Sequence, residues 1–273
     1  MSWQNETMKG FHMYKRLIVL TIMTLAILSH ICFAETVTFN SSLKTKEGDQ
    51  IALSAILEKP DGDGPFPAVI LLHGCDGHNL NIVRWAAKLT YWGYVTLQVD
   101  SFQPRGVSAI CGSPGEARLY SQNRVRDAYD ANIFLSTLPY VDSNKIALMG
   151  WSHGGWTTLN AFEAGAKDLF TENPFKAAVT FYPYCCEASQ SDFGPPTLIL
   201  IGESDDWTPA DCCVGLSKAT NETILKIYPG AYHLFDNEDI VEMTFMGHKL
   251  GYNAEVTEDA IIQVKNFLTK YLK

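Results

Sequence analysis

The stretch Gly150-Trp151-Ser152-His153-Gly154 follows directly on an apolar run and decides the fold of this 273-residue chain. The pattern Gly-x-Ser-x-Gly between a buried strand and a helix is typical of a sharp turn that lifts a serine hydroxyl out of the backbone. Glycine is needed at both ends, because a Cβ atom there would collide with the neighbouring strand or helix. An ordinary glycine-rich loop is the alternative. The apolar run over 146–149 and the helical pattern after residue 154 favour the sharp turn.

Short apolar runs separated by helical patterns predict the rest of the fold. From residue 68 onward most strand candidates are continuous apolar runs, as expected of parallel strands buried on both faces. The alternation predicts an α/β protein with a mostly parallel sheet and helices on both faces. No helix separates the first two strands, which predicts an antiparallel hairpin at the edge. The strand candidates are 37–40, 51–58, 68–73, 94–100, 145–150, 177–182, 197–202 and 224–228, and the helix candidates are 79–92, 116–138, 153–164, 210–220 and 255–272.

His233 is the candidate base for Ser152. A serine hydroxyl is a weak nucleophile alone and needs a base within hydrogen-bond reach and a carboxylate that orients this base. His233 follows a strand candidate and a Pro-Gly turn, and the carboxyl ends of parallel strands are where such groups converge. A capping or surface role for this histidine is the alternative. The order serine, acid, histidine along the chain is one of the known orders of this chemistry.

The candidate acid lies in the acidic turn after the strand candidate 197–202. The spacing Gly-x-x-Asp-x-x-x-Pro favours Asp205 as the partner of the histidine. Asp206 is the main alternative, and it could instead serve the turn or the N-terminus of the following helix. Glu203 and Asp211 are weaker alternatives.

Two backbone N–H groups are expected to stabilise the oxyanion. One belongs to His153, the residue after the serine, and the other to the loop after the strand candidate 68–73, where Cys75 is the candidate donor. Cys75 as a nucleophile is the alternative. Its loop lacks the sharp turn, and a disulfide suits this cysteine better.

Three further side chains are candidate substrate-binding residues. Arg105 follows the strand candidate 94–100, where it could bind a substrate carboxylate or pair with a nearby acid. His78 and Trp207 are expected either to line the pocket or to pack at its rim. The sequence contains no His-x-x-x-His or similar pair, so we expect no metal site.

The first 34 residues have the organisation of a secretory signal peptide. Basic residues precede an apolar segment over 17–28, and the small residue Ala34 provides a cleavage site. The apolar segment is shorter than the roughly 20 residues of a membrane-spanning helix, so an uncleaved anchor is the weaker alternative. We expect cleavage near Ala34, export of 35–273 as one domain to the periplasm or the medium, and no stable membrane partner afterwards.

Charge and cysteine content agree with export. The formal net charge of −9 argues against nucleic acid or an anionic membrane as a partner. Six cysteines follow the signal segment, and an even number in an exported chain indicates disulfides. The doublets at 185–186 and 212–213 suggest pairing with each other, which leaves Cys75 with Cys111. A site of four cysteine thiolates on a metal, or free thiols within the doublets, are the alternatives.

Together these segments resemble the dienelactone hydrolase family of α/β-hydrolases. The resemblance extends over nearly all of residues 35–273 and implies an eight-stranded sheet without a cofactor. It also implies that Ser152 is the nucleophile, Asp205 the acid and His233 the base. The matching motifs are Leu71-Leu72-His73-Gly74-Cys75-Asp76-Gly77, Asp100-Ser101-Phe102-Gln103-Pro104-Arg105-Gly106, Gly150-Trp151-Ser152-His153-Gly154-Gly155, residues 202–209, and Tyr228-Pro229-Gly230-Ala231-Tyr232-His233.

Two departures from the family pattern bear on the substrate. The members that cleave dienelactone use a cysteine nucleophile where this chain has Ser152, and they carry an arginine and a glutamate at the positions of Asn237 and Gly74. These departures argue against a dienelactone as substrate. The sequence therefore predicts a serine hydrolase that cleaves carboxylic esters, or related lactones or thioesters, of small molecules. A non-catalytic binding protein of the same fold is the alternative, and the three intact catalytic positions disfavour it.

Overall fold

The apolar runs of the sequence form one eight-stranded sheet. The structure, a computed structural model, describes residues 34–162, 174–187, 194–219 and 222–273. The strands lie in the order β1-β2-β4-β3-β5-β6-β7-β8 across the sheet. In chain order they are β1 (Ala34–Lys44), β2 (Gln50–Glu58), β3 (Phe66–Leu72), β4 (Val95–Asp100), β5 (Val141–Trp151), β6 (Ala177–Phe181), β7 (Thr197–Gly202) and β8 (Thr223–Tyr228).

The direction of the strands confirms the predicted mostly parallel sheet. Strands β3 to β8 are parallel to their neighbours among themselves. Strand β2 is antiparallel to β1 and to β4, so the first two strands form the predicted hairpin at the edge. The carboxyl ends of the six parallel strands consequently point to one side of the molecule, where the loops that follow them meet.

The helices lie close to their predicted positions. They are α1 (Leu80–Tyr91), α2 (Pro114–Ser136), α3 (His153–Asn160), α4 (Asp211–Ala219) and α5 (Ala254–Leu272). Helix α1 begins at its predicted place because the Asn79 side chain accepts a hydrogen bond from the Ile82 N–H, at 3.3 Å. The last residues predicted for α3 and α4, namely 163–164 and 220, lie outside the described residues.

Helices cover both faces of the sheet, as predicted. Alternate residues of β3 point to opposite faces, and Val69 and Leu71 join one apolar cluster with side chains of α1 and α5. Ala68 and Ile70 join a second cluster with side chains of α2. Because both faces of the central strands are dry, their sequences read as continuous apolar runs.

A second, two-stranded sheet was not predicted. It consists of β9 (Met243–Phe245) and β10 (His248–Leu250), joined by the two-residue turn Met246-Gly247. Both turn residues have positive φ, 52° and 90°. Asn-Gly is the usual sequence for such a turn, so Met246-Gly247 carries no hairpin signal.

The predicted signal segment lies outside the described residues except for Ala34, which begins β1. Within the part of the chain that the structure describes, no helix has the length and apolar character needed to cross a membrane.

Candidate active site

The turn at Ser152 has the geometry that its glycines predict. A Cβ atom on Gly150 would lie 2.2 Å from the carbonyl oxygen of Gly154, and one on Gly154 would lie 2.1 Å from the carbonyl oxygen of Leu72. Helix, strand and turn therefore approach too closely for any side chain at these two positions. Ser152 itself has φ 51° and ψ −114°, a strained conformation that turns its side chain away from the strand.

Three loops bring Ser152, His233 and Asp205 into one chain of hydrogen bonds. The His233 Nε2 atom lies 3.0 Å from the Ser152 Oγ atom. On the other side of the ring, His233 Nδ1 lies 2.7 Å from the Asp205 Oδ2 atom. His233 and Asp205 are almost completely buried, with 2% and 4% of their surface exposed. The structure therefore brings the three predicted residues together at the carboxyl ends of their strands.

The backbone of its own turn fixes the Asp205 carboxylate. Its Oδ1 atom accepts the N–H groups of Trp207 and Thr208 at 3.0 and 2.9 Å, and its Oδ2 atom accepts the Thr208 hydroxyl at 2.9 Å. Burial alone would raise the pKa of Asp205, but the neighbouring His233 and these hydrogen bonds outweigh it and hold that pKa below its usual value. Asp205 is therefore ionised at neutral pH.

The other acids of this turn have different partners. Asp206 accepts the Lys249 N–H at 3.1 Å and lies 3.4 Å from His248. Glu203 accepts the Gly230 N–H at 3.2 Å. Asp211 lies in the first turn of α4. The contact to His233 thus distinguishes Asp205 from the three alternatives that the sequence left open.

Both candidate oxyanion donors belong to segments next to Ser152. His153 is the first residue of α3, and the N–H groups of a first helical turn have no partner within the helix. The loop with Cys75 packs on the serine, since a Cβ atom on Gly74 would lie 3.8 Å from the Ser152 Cβ atom. Cys75 forms a disulfide with Cys111, so it has no thiol to act as a nucleophile.

A buried arginine joins these two segments. Arg124 is fully buried, and its Nη1 and Nη2 atoms lie 2.6 Å from His153 Nδ1 and 2.7 Å from the His73 carbonyl oxygen. Burial and the Arg124 charge lower the pKa of His153 to about 3, so its imidazole is neutral. Its Nδ1 atom therefore accepts from Arg124, and its Nε2–H donates to the Ala117 carbonyl at 2.7 Å. A single arginine in a helical pattern gives no sign of such burial, and the sequence did not predict this role.

A second buried group, Asp236, ties the histidine loop to the rest of the site. Its Oδ2 atom accepts hydrogen bonds from Asn81, Trp85 and Trp151 at 3.0, 2.8 and 2.9 Å. Its Oδ1 atom accepts the Tyr182 hydroxyl at 2.6 Å. These donors come from α1, from the residue before the serine and from the residue after β6. The sequence analysis missed Asp236, because its partners lie between 54 and 155 positions away along the chain.

Three disulfides hold the loops around the site. The two cysteine doublets pair with each other, as the sequence suggested, and this pairing ties the loop after β6 to α4. The alternatives of a four-thiolate metal site and of free thiols in the doublets are wrong, because these sulfur atoms are bonded in pairs. Disulfides form and persist in oxidising compartments, which agrees with export. The bonds are Cys75–Cys111, Cys185–Cys213 and Cys186–Cys212.

The three candidate substrate-binding residues have different surroundings. Arg105 makes a two-pronged ion pair with Asp127, with both N–O distances at 2.8 Å, which is the second of its two predicted roles. His78 Nε2 lies 2.8 Å from the Gln98 amide oxygen. The Trp207 ring lies 5.3 Å from the His233 ring, at the edge of the triad. Over the described ranges, no group of three or more His, Cys, Asp or Glu side chains is placed to hold a metal ion.

Comparison with known proteins identifies the family. The sequence model of the dienelactone hydrolase family matches residues 53–272. The chain belongs to the dienelactone hydrolase family. It is 32% identical over 272 residues to a protein of Saccharolobus solfataricus named as a carboxymethylenebutenolidase, and the match covers 83% of this chain and 97% of that relative. This dienelactone hydrolase family member is therefore a carboxylic-ester hydrolase, as predicted.

Solved structures of low sequence identity share the fold. A dienelactone hydrolase-like promiscuous phosphotriesterase from metagenomic libraries superposes with a TM-score of 0.70 at 18% identity, over 88% of this chain and 99% of that chain. An esterase of Thermogutta terrifontis, phosphorylated by paraoxon, superposes with a TM-score of 0.59 at 18% identity, over 87% and 94% of the two chains. The predicted α/β-hydrolase fold is confirmed.

Proposed function

We propose that the protein is a serine hydrolase that cleaves carboxylic esters of small molecules through an acyl-enzyme on Ser152. The observation that carries this proposal is the hydrogen-bonded chain from Ser152 Oγ through His233 to Asp205, at 3.0 and 2.7 Å. Three separate loops meet to form it, and each contributes one of the side chains that this chemistry needs.

The first step transfers the serine proton to the histidine. In the resting state His233 donates its Nδ1–H to the Asp205 carboxylate, which leaves Nε2 as an acceptor for the Ser152 hydroxyl. As Oγ attacks the ester carbonyl carbon, Nε2 takes its proton and the carbonyl π electrons move to the oxygen. The Asp205 carboxylate stabilises the imidazolium that forms and holds the ring in this orientation.

The N–H groups of Cys75 and His153 stabilise the resulting oxyanion. The neutral His153 side chain, held by Arg124, and the Cys75–Cys111 disulfide keep these two segments in place. Such pre-organised donors matter, since removing one from an oxyanion hole typically lowers the rate about 100- to 1000-fold. The intermediate then expels the alcohol, which takes the proton from His233 Nε2, and the acyl group stays on Ser152.

Water completes the reaction by the same route. His233 Nε2 takes a proton from the water as its oxygen attacks the acyl carbon, and the second tetrahedral intermediate expels Ser152 Oγ. The serine recovers its proton from the imidazolium, and the acid leaves. No step uses a metal or an organic cofactor.

Two positions support uncharged esters over dienelactones as substrates. Gly74 supplies no carboxylate, and a Cβ atom there would lie 2.7 Å from the Asp76 Oδ1 atom. The Asn237 side chain supplies no cation, is buried, and accepts the Asp239 N–H at 3.1 Å. With Arg105 bound to Asp127, these residues offer no charge to a substrate carboxylate.

We also infer that the protein is exported after cleavage near Ala34. Strand β1 begins at Ala34, so cleavage after this residue leaves the strand nearly complete, and the three disulfides require an oxidising compartment to form. The mass of the protein recovered from the cell envelope and medium tests this inference. A chain that retains residues 1–34 would contradict it.

The test of the catalytic proposal is hydrolysis of 4-nitrophenyl acetate by the parent protein and by Ser152→Ala. We expect turnover in the parent and a loss of at least about 10⁴-fold in kcat in the variant, as for other serine hydrolases without their nucleophile. Ser217→Ala, on α4, is the matched control and should keep full activity. Equal turnover in the parent and Ser152→Ala would contradict the proposal, and no turnover in the parent would favour the binding-protein alternative.

A further inference from the structure

The hairpin of β9 and β10 presents large apolar side chains beside the triad. Phe245 and Met246 are exposed, at 41% and 54% of their surface. The Phe245 ring lies 6.0 Å from the Trp207 ring, which in turn lies 5.3 Å from the ring of His233. We call Trp207, Phe245 and Met246 the apolar wall.

His248, on the second strand of the hairpin, packs against this wall. Phe245 and His248 are directly paired across the two strands, so both side chains lie on one face of the hairpin. The His248 ring stacks on Trp207 at 4.9 Å, and its Nδ1 atom faces Asp206 at 3.4 Å. The hairpin thus packs on Trp207, and the His248 contacts join it to the acidic turn that carries this tryptophan.

The tip of the hairpin reaches the segment that the Cys75–Cys111 disulfide joins to the loop of Cys75. A Cβ atom built on Gly112 would lie 2.2 Å from the Met246 Cε atom, so the methionine methyl rests directly on this glycine. Gly112 follows Cys111, whose sulfur is bonded to Cys75. The contacts therefore close a ring around Ser152, from His233 through the apolar wall to the disulfide loop and back to the serine.

The backbone at Met246 has a conformation that is costly for a methionine. Met246 has φ 52°, a conformation that favours glycine and asparagine and that other residues adopt at a cost. Asn-Gly would suit this turn better than Met-Gly. Strained conformations of this kind cluster at functional sites. The Met246 side chain is half exposed and contacts Gly112, next to the Cys75–Cys111 disulfide.

We propose that the apolar wall binds the alcohol part of the substrate, and that the preferred substrates are esters of uncharged, apolar alcohols. This proposal rests on the proposed function. In that mechanism His233 gives its proton to the leaving oxygen, so the alcohol lies on the histidine side of the scissile bond, where Trp207 and Phe245 are. An apolar alcohol there removes its own surface and that of the wall from water.

Acetate esters of ethanol, butanol and hexanol provide the test, because these alcohols have nearly equal acidity and differ in apolar length. Acetate release is measured for each ester. Each methylene placed against the wall should raise kcat/KM about three- to fourfold, which is about tenfold from ethyl to butyl acetate. Ethyl esters of acetic, butanoic and hexanoic acid vary the acyl side in the same way.

The variants distinguish the loss of a substrate contact at the apolar wall from a loss of protein stability. Met246→Asn should keep or raise Tm, because asparagine suits the turn, and should reduce the butyl-to-ethyl ratio several-fold. Phe245→Ala should reduce the same ratio. Tyr91→Ala removes another exposed aromatic side chain, at the end of α1, and should leave the ratio unchanged.

The outcomes distinguish this proposal from the proposed function. If Ser152-dependent turnover persists, two results would overturn the proposal that the apolar wall binds the alcohol. One is a kcat/KM that does not change with the length of the alcohol, and the other is a butyl-to-ethyl ratio that Met246→Asn and Phe245→Ala leave unchanged. If kcat/KM instead rises with the length of the acyl chain, and Met246→Asn and Phe245→Ala abolish this rise, the wall binds the acyl group and not the alcohol. Absence of Ser152-dependent turnover for every ester would overturn the proposed function and this proposal with it.

Discussion

Replacement of Asp236 by alanine leaves four buried donors without their acceptor. Asn81, Trp85, Trp151 and Tyr182 all donate to this carboxyl group. A buried donor without a partner costs about 1–3 kcal/mol, and because the new cavity relaxes in part, the four costs do not add fully. We expect the free energy of unfolding to fall by about 3–5 kcal/mol, which lowers Tm by about 10 °C in a chain of this size.

Asp236→Asn separates the charge from the shape of the side chain. The amide oxygen can still accept from both tryptophans, but the amide NH₂ group replaces the acceptor that faces the Tyr182 hydroxyl. Hydrogen bonds to an ionised group are about twice as strong as neutral ones, so we expect a loss of about 2 kcal/mol. In both variants kcat should fall by a larger factor than KM rises. Asp236 lies three residues after His233 and anchors the histidine loop to Trp151, so its loss displaces the catalytic groups.

Thermal unfolding followed by circular dichroism, with 4-nitrophenyl acetate kinetics on the same samples, measures both effects. Asp239→Asn is the matched control, since Asp239 lies in the same loop and pairs with Arg84 at the surface, and its Tm should equal that of the parent. A Tm of Asp236→Ala within 2 °C of the parent value (about 1 kcal/mol or less) would refute the reasoning.

Three further changes test other parts of the site. Burial lowers the pKa of His73 and of His153, that of His153 to about 3, so the unfolded chain binds more protons than the folded chain below pH 6.5. The free energy of unfolding should therefore fall as the pH is lowered from 6 to 4, by up to about 1.4 kcal/mol per pH unit from His153 and further from His73, measured as the pH dependence of urea unfolding. Joint replacement of Cys75 and Cys111 by serine opens a loop with a sequence separation of 36, which should lower the free energy of unfolding by about 4 kcal/mol in denaturant titrations. Asp205→Asn should lower kcat about 10⁴-fold with ester and leave the far-UV spectrum unchanged.

The sequence predicted those parts of the molecule that local patterns encode. The central parallel strands are buried on both faces, so they read as apolar runs, and the turn at Ser152 needs glycines that no other residue can replace. His233 and Asp205 were predictable because each lies in the turn that follows a strand candidate. The choice between Asp205 and Asp206 remained open, since the two residues are adjacent and only their side-chain directions differ.

The sequence did not predict the groups whose role depends on distant partners. Arg124 reads as a solvated or ion-paired residue of a long helix, yet it is buried against His153 and the His73 carbonyl, next to the two oxyanion donors. Asp236 gathers donors from three other parts of the chain. The hairpin around Met246 lacks the turn residues that predict a hairpin, because its turn carries a methionine where asparagine is usual.

The central claim is that the ester's acyl group passes through Ser152. The most direct test mixes the parent protein with 4-nitrophenyl acetate, quenches with acid within milliseconds and measures the mass of the intact protein and its peptides. Because this ester acylates serine hydrolases rapidly, we predict one acetyl group per chain, located on the peptide that contains Gly150 to Gly154, and none in Ser152→Ala. Turnover without an acetylated Ser152, or with the acetyl group on another residue, would contradict the account.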